Sequence, residues 1–278
     1  MNQPKPSPQQ SRKIFSHLKS LPKTSRLPVL FIGHGSPMNA IEDNQFSRSW
    51  RLLGENLPKP QAIIVMSAHW TTPNGSFLTA MPKPKMIYDM YGFPQALYEQ
   101  QYPAPGQTAL AKEINSALND IQLDHEWGFD HGCWSVLKQM YPACDIPVIQ
   151  LSIDYSRTPL QEYELLTQLQ ELREHGILFI GSGNIIHNLR LINWEDNQPY
   201  DWAIEFDALS TSLIEKHDII TLANYQKLGL AANLSIPTDE HYRPMLGALA
   251  LAHTKDTLNF FNTEIVMSSL GMRSFILK

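Results

Sequence analysis

Residues 177–187 read Ile177-Leu178-Phe179-Ile180-Gly181-Ser182-Gly183-Asn184-Ile185-Ile186-His187, and the first four decide the fold. An unbroken run of branched and aromatic residues, stopped by glycine, describes a strand buried on both faces. Three other runs share the pattern. Pro28-Val29-Leu30-Phe31-Ile32 ends in Gly33, Ala62-Ile63-Ile64-Val65-Met66 ends in Ser67-Ala68, and residues 146–153 end in Asp154. Strands of this kind form parallel sheet, because helices must cover both faces. Helical spacing fills the intervals. Gln107–Leu118 places Leu110, Ile114, Ala117 and Leu118 on one face. Pro159–Glu174 opens with Thr158 as N-cap and Pro159 at the first helical position. Trp202–Lys216 and Tyr242–His253 look similar. The expected fold is α/β, a single domain with a central, mostly parallel sheet flanked by helices. Residues 264–268 and 273–277, joined through Leu270-Gly271, read as a hairpin or two edge strands. Residues 71–106 are rich in Pro, Tyr, Met and Gly without a period, and read as an excursion that walls or covers a site.

Composition bounds the function. Of 278 residues 43% are hydrophobic, enough for a large core. The net charge of −5 argues against a general nucleic-acid binder. The charge is uneven: residues 1–28 carry six basic side chains and no acid, which leaves −11 for the rest. Residues 1–27 are therefore expected to be a basic flexible extension, with a short surface helix around Ile14, Phe15, Leu18 and Leu21, and 28–278 the folded domain. A transit peptide is the competing reading of this stretch. No run of about 18 apolar residues exists, so no membrane span is expected. Two cysteines, Cys133 and Cys144, suit a reduced cytoplasmic protein. Oligomeric state is not legible.

Ten histidines against two cysteines point to imidazole chemistry if there is a metal. Their positions matter more than their number. His34 and His69 follow strand-like runs, inside Gly33-His34-Gly35-Ser36-Pro37 and Ser67-Ala68-His69-Trp70. His187 follows a third run, at what reads as the first turn of a helix. His241 precedes the Met245–His253 helical stretch, and His131 sits beside Gly132, which permits close backbone approach. In α/β sheets ligands bind beyond the C-terminal strand ends, so these residues are expected to converge there in a metal site. His17, His125, His175, His217 and His253 have surface or packing contexts. A dinucleotide fingerprint at Gly181-Ser182-Gly183 lacks its third glycine, and Gly33–Pro37 is not a nucleophile elbow.

Taken in order, Gly33–Pro37, Ser67–Trp70, Tyr88-Asp89-Met90-Tyr91-Gly92-Phe93-Pro94, Asp130-His131-Gly132, Gly181–Asn184 with His187-Asn188-Leu189, and Glu240-His241 resemble the class III extradiol ring-cleavage dioxygenases of the LigB type. The match is to the 4,5-DOPA extradiol branch. The resemblance implies a metal-dependent oxidoreductase that opens the aromatic ring of a catechol with O2, with L-DOPA cleaved at the 4,5 bond to a seco-DOPA semialdehyde. It implies His34 and His69 as ligands and His241 as the third, with Glu240 as the rival. His187 is implied as a fourth ligand or an acid/base, and His131 as a catalytic residue either behind the ligands or in contact with substrate, donating a proton or a hydrogen bond to the departing oxygen. Fe(II) is the implied working metal. Zn(II), which binds imidazoles more tightly, is expected in isolated protein. The competing functions are a zinc-dependent hydrolase and a noncatalytic binding protein on the same fold. The partners expected are a small catechol and O2, with no nucleic acid and no membrane.

Overall fold

The computed structural model describes Leu18 and residues 21–278. Among the described residues there are ten strands: β1 Val29–Gly33, β2 Ala62–Thr72, β3 Ser76–Thr79, β4 Ile121–Asp124, β5 Val148–Asp154, β6 Ile177–Gly183, β7 Leu258–Phe261, β8 Ile265–Val266, β9 Leu270–Gly271 and β10 Ser274–Leu277. Eight form one sheet in the order β4-β3-β5-β2-β6-β1-β10-β7. Its centre, β5-β2-β6-β1, is parallel throughout. The joins of β3 to β5, β1 to β10 and β10 to β7 are antiparallel. The expected single α/β domain is what forms.

Both faces of the centre are packed. Val29, Phe31, Ile64, Met66 and Phe179 point into one layer, with the helices Thr108–Ala117, Pro159–Leu166, Asp201–Glu215 and Arg243–Ala250. Leu30, Ile32, Ile63, Val65 and Ile180 point into the other, with Trp50 and Trp134 from Gln45–Asn56 and His131–Met140. Burial on both sides is why these strands read as continuous apolar runs.

Several expectations need correction. β2 does not stop at Met66. It continues through a bulge, since Met66 pairs with Leu151 but Thr71 with Ile153, so three extra residues are accommodated on β2. The 159–174 stretch is α-helical only to Leu166 and then tightens to a 3-10 helix, Thr167–His175. β8 and β9 form a separate two-stranded sheet, and β10 is interior because β7 lies outside it. β3 and β4 arise where no strand was expected; both are four residues long, too short for a period to show. Most of the expected basic extension lies outside the described residues. Its described end is attached: Leu18 is buried, Thr24 and Leu27 donate to the carbonyls of Glu174 and Arg173, and Arg173 Nε donates to Leu27 O.

Candidate metal centre

The C-terminal ends of β1 and β6 lie side by side, next to the bulge of β2. Gly33 pairs with Gly183 and Ser67 with Ser182. His34 therefore leaves β1 directly beside the end of β6, and its backbone N–H donates to Gly183 O at 3.0 Å. His69 is carried by the β2 bulge, a device that re-aims a side chain without ending the strand. The segment bearing His241 closes down onto β6. A Cβ at Gly183 would overlap the carbonyl oxygen of His241, and one at Gly181 that of Pro244, so glycine is required for this contact. Arg243 pins the same segment by donating to Asp239 at 2.9 Å and to the carbonyls of Asp154 and Arg157. His131 opens the His131–Met140 helix, with Asp130 accepting from Cys133 N as N-cap. His187 is not in a helical turn, contrary to expectation. It bridges Leu270 in extended form, and a 3-10 turn starts at Leu189.

All five histidines meet. The Nε2 atoms of His34 and His69 are 3.2 Å apart. Two nitrogens on one ion at about 2.1 Å are separated by roughly 3.0 Å at a right angle and 3.4 Å at the tetrahedral angle. The ring centres of His34, His69 and His241 form a near-equilateral triangle with sides of 5.1, 5.4 and 4.9 Å. Adding ~1.1 Å from nitrogen to ring centre predicts roughly 4.6–5.3 Å for three imidazoles around one ion. His187 behaves differently. Its ring stacks on His241 at 3.4 Å and 7°. A ligand lone pair lies in its ring plane, so an ion in the plane of one stacked ring lies off the plane of the other. Grouped by ligand atoms alone, His34 and His69 also take in His131, while His187, Glu240 and His241 form a second set.

Hydrogen bonds orient the rings. Ser182 Oγ donates to Gly132 O at 2.6 Å, so it accepts from His34 Nδ1 at 3.0 Å. Glu240 Oε1 accepts from His241 Nδ1 at 3.1 Å. Asp89 Oδ2 accepts from Nδ1 of His131 at 2.9 Å and faces Nδ1 of His69 at 3.2 Å. In each case a carboxylate or hydroxyl occupies Nδ1 and leaves Nε2 for the centre, the usual second partner of metal-binding imidazole. Glu240 is otherwise engaged, accepting from Thr238 at 2.9 Å and Tyr155 at 3.1 Å. Behind the rings, Asp130 accepts from Ser67 and Gln150, and burial pushes its carboxyl up to about 6. Burial lowers the pKa of His34 and His241 far below the ordinary value, that of His69 to about 3 and that of His187 to about 4. All four rings are therefore neutral at pH 7, the form that binds a metal. The donor set fits a divalent transition ion.

A family model for the catalytic LigB subunit of aromatic ring-opening dioxygenase matches residues 23–273. The chain belongs to the LigB family. It is 45% identical over 261 residues to a 4,5-DOPA dioxygenase extradiol of Escherichia coli, covering 90% of this chain and 94% of that one. It is 35% identical to a protein of the same name from Beta vulgaris, covering 81% and 86%. A crystal structure of an uncharacterised Escherichia coli K12 protein superposes with a TM-score of 0.78 at 41% identity, over 91% of this chain and all of the other. The LigB chain is thus a ring-cleavage dioxygenase, and its histidine cluster is able to hold the metal such enzymes need. No helix among its described residues is long and apolar enough to cross a membrane. Sequence reasoning missed the residues behind the rings: Asp89, Ser182, Ser67 and Arg243. Asp89 lay within the 88–94 block but is 42 residues from His131, and only the folded chain joins them.

Proposed function

We propose that the protein opens the ring of a catechol beside its two hydroxyls, with L-DOPA as substrate and Fe(II) as working metal. One observation supports this reading: the rings of His34, His69 and His241 stand 4.9–5.4 Å apart, with the Nε2 atoms of His34 and His69 3.2 Å apart, while His131 and His187 line the same cavity. His34, His69 and His241 would hold the metal, with Glu240 orienting His241 rather than binding the ion. Bound Fe(II) would supply a site for both catechol oxygens and O2 and would couple electron flow between them.

The rest falls to the chain. His187, whose proton affinity is lowered by burial, is neutral and takes a catechol proton. His131 has the Asp89 carboxylate at its Nδ1, which fixes the orientation of its ring at the cavity, and it would return a proton at the departing oxygen. Met38, Phe93, Leu189, Ile192 and Leu270 line the cavity and keep water from the ring. The two free thiols, Cys133 and Cys144, suit a reducing cytoplasm.

The test is oxygen uptake by Fe(II)-loaded protein given L-DOPA. The expected result is one O2 consumed per yellow ring-opened product. No uptake with stoichiometric Fe(II) overturns the reading.

A further inference from the structure

The cavity above the histidines has a volume of about 760 Å³ and one sign of charge. Its charged lining groups besides histidine are Glu42 and Asp89, and none of the described lining residues is Lys or Arg. Asp89 is committed to His69 and His131. Glu42 is uncommitted. Its carboxylate accepts one hydrogen bond, from Asn44 Nδ2 at 3.3 Å, and no cation lies within ion-pair distance of it among the described residues. The two nearby arginines, Arg48 and Arg51, both turn to Asp43 instead. Two aromatic side chains line the same cavity while standing in solvent, Tyr91 at 92% and Trp194 at 80% exposure. Aromatic faces attract cations and offer nothing to a carboxylate.

We propose that Glu42, with Tyr91 and Trp194, forms a subsite for a cationic substituent, so the substrate class is catechols whose side chain carries an ammonium group. This rests on the dioxygenase reading and refines it. A catechol amino acid gains its ammonium contact but finds no cation for its carboxylate. The corresponding amine therefore binds at least as well, and a catechol carboxylic acid binds worst.

The test is calorimetric affinity, without oxygen, on the metal-loaded full chain. Dopamine, neutral 4-methylcatechol and 3,4-dihydroxyphenylpropionate are the probes. Dopamine should bind about 5-fold tighter than 4-methylcatechol, and the acid about 5-fold weaker, the size expected of one partly exposed charge pair. Both gaps should shrink at about 0.5 M salt. Glu42→Gln should close most of the gap, Glu42→Lys should reverse the order, and Trp194→Leu should cost dopamine alone about 2-fold. Equal affinities, or an order that survives Glu42→Lys in folded, metal-replete protein, overturns the subsite. Oxygen uptake with 4-methylcatechol is scored separately. Its absence strikes the dioxygenase reading, while the affinity order still decides the subsite.

Discussion

The floor and the mouth of one cavity are built by opposite means. At the floor, His34 and His241 are 1% and 6% exposed, and each ring is fixed by a hydrogen bond at Nδ1. They stand on or against strands packed on both faces. At the mouth, Tyr91 and Trp194 stand almost wholly in solvent, on connecting segments outside the sheet. The difference separates two tasks. On the proposed reading the floor would hold an ion and move protons, which tolerates little displacement. The mouth would meet the variable part of a substrate, through contacts that are individually weak.

Changes at the floor should have the largest effect. His69→Ala should abolish both metal stoichiometry and ring cleavage, read by elemental analysis after dialysis and by oxygen uptake. His187→Gln should cost about 10²–10⁴-fold in kcat, as for a lost acid/base, with one metal still bound per chain. Metal loss in that variant makes His187 a ligand. Asp89→Asn should cost about 10–100-fold in metal affinity or activity, because one carboxylate orients both His69 and His131. A change in the body away from the cavity should separate stability from chemistry. Arg173 is buried, pairs with Asp256 at 2.6 Å and donates to the carbonyls of Leu27 and Leu251. Arg173→Met leaves Asp256 buried without its partner and should cost about 3 kcal/mol in denaturant unfolding, with metal stoichiometry retained in the folded fraction. Tyr91→Ala, at the mouth, should move KM by only a few-fold and leave metal content unchanged. A larger loss of metal there would erase the distinction between floor and mouth.

The same division governs what the sequence shows. The central strands were legible because burial on both faces writes itself as an unbroken apolar run. Five histidines could be placed at strand exits or glycine bends, and all five meet in the fold. What stayed hidden was non-local or short. β3 and β4 carry too few residues for a period, and β7 looks like part of a loop until β10 pairs with it. The bulge that aims His69 depends on register against β5, which no local pattern encodes. The choice between Glu240 and His241 could not be made from adjacent residues. It became arguable once Glu240 was seen accepting from Tyr155, 85 residues away, and from the ring of His241 itself.

The most direct measurement is an anomalous-scattering crystal structure of metal-reconstituted protein. One ion should lie about 2.1 Å from Nε2 of His34, His69 and His241, with His187 and His131 uncoordinated and facing the cavity. An ion held by His131 or Glu240 in place of His241, or ligated through Nδ1, would contradict this assignment.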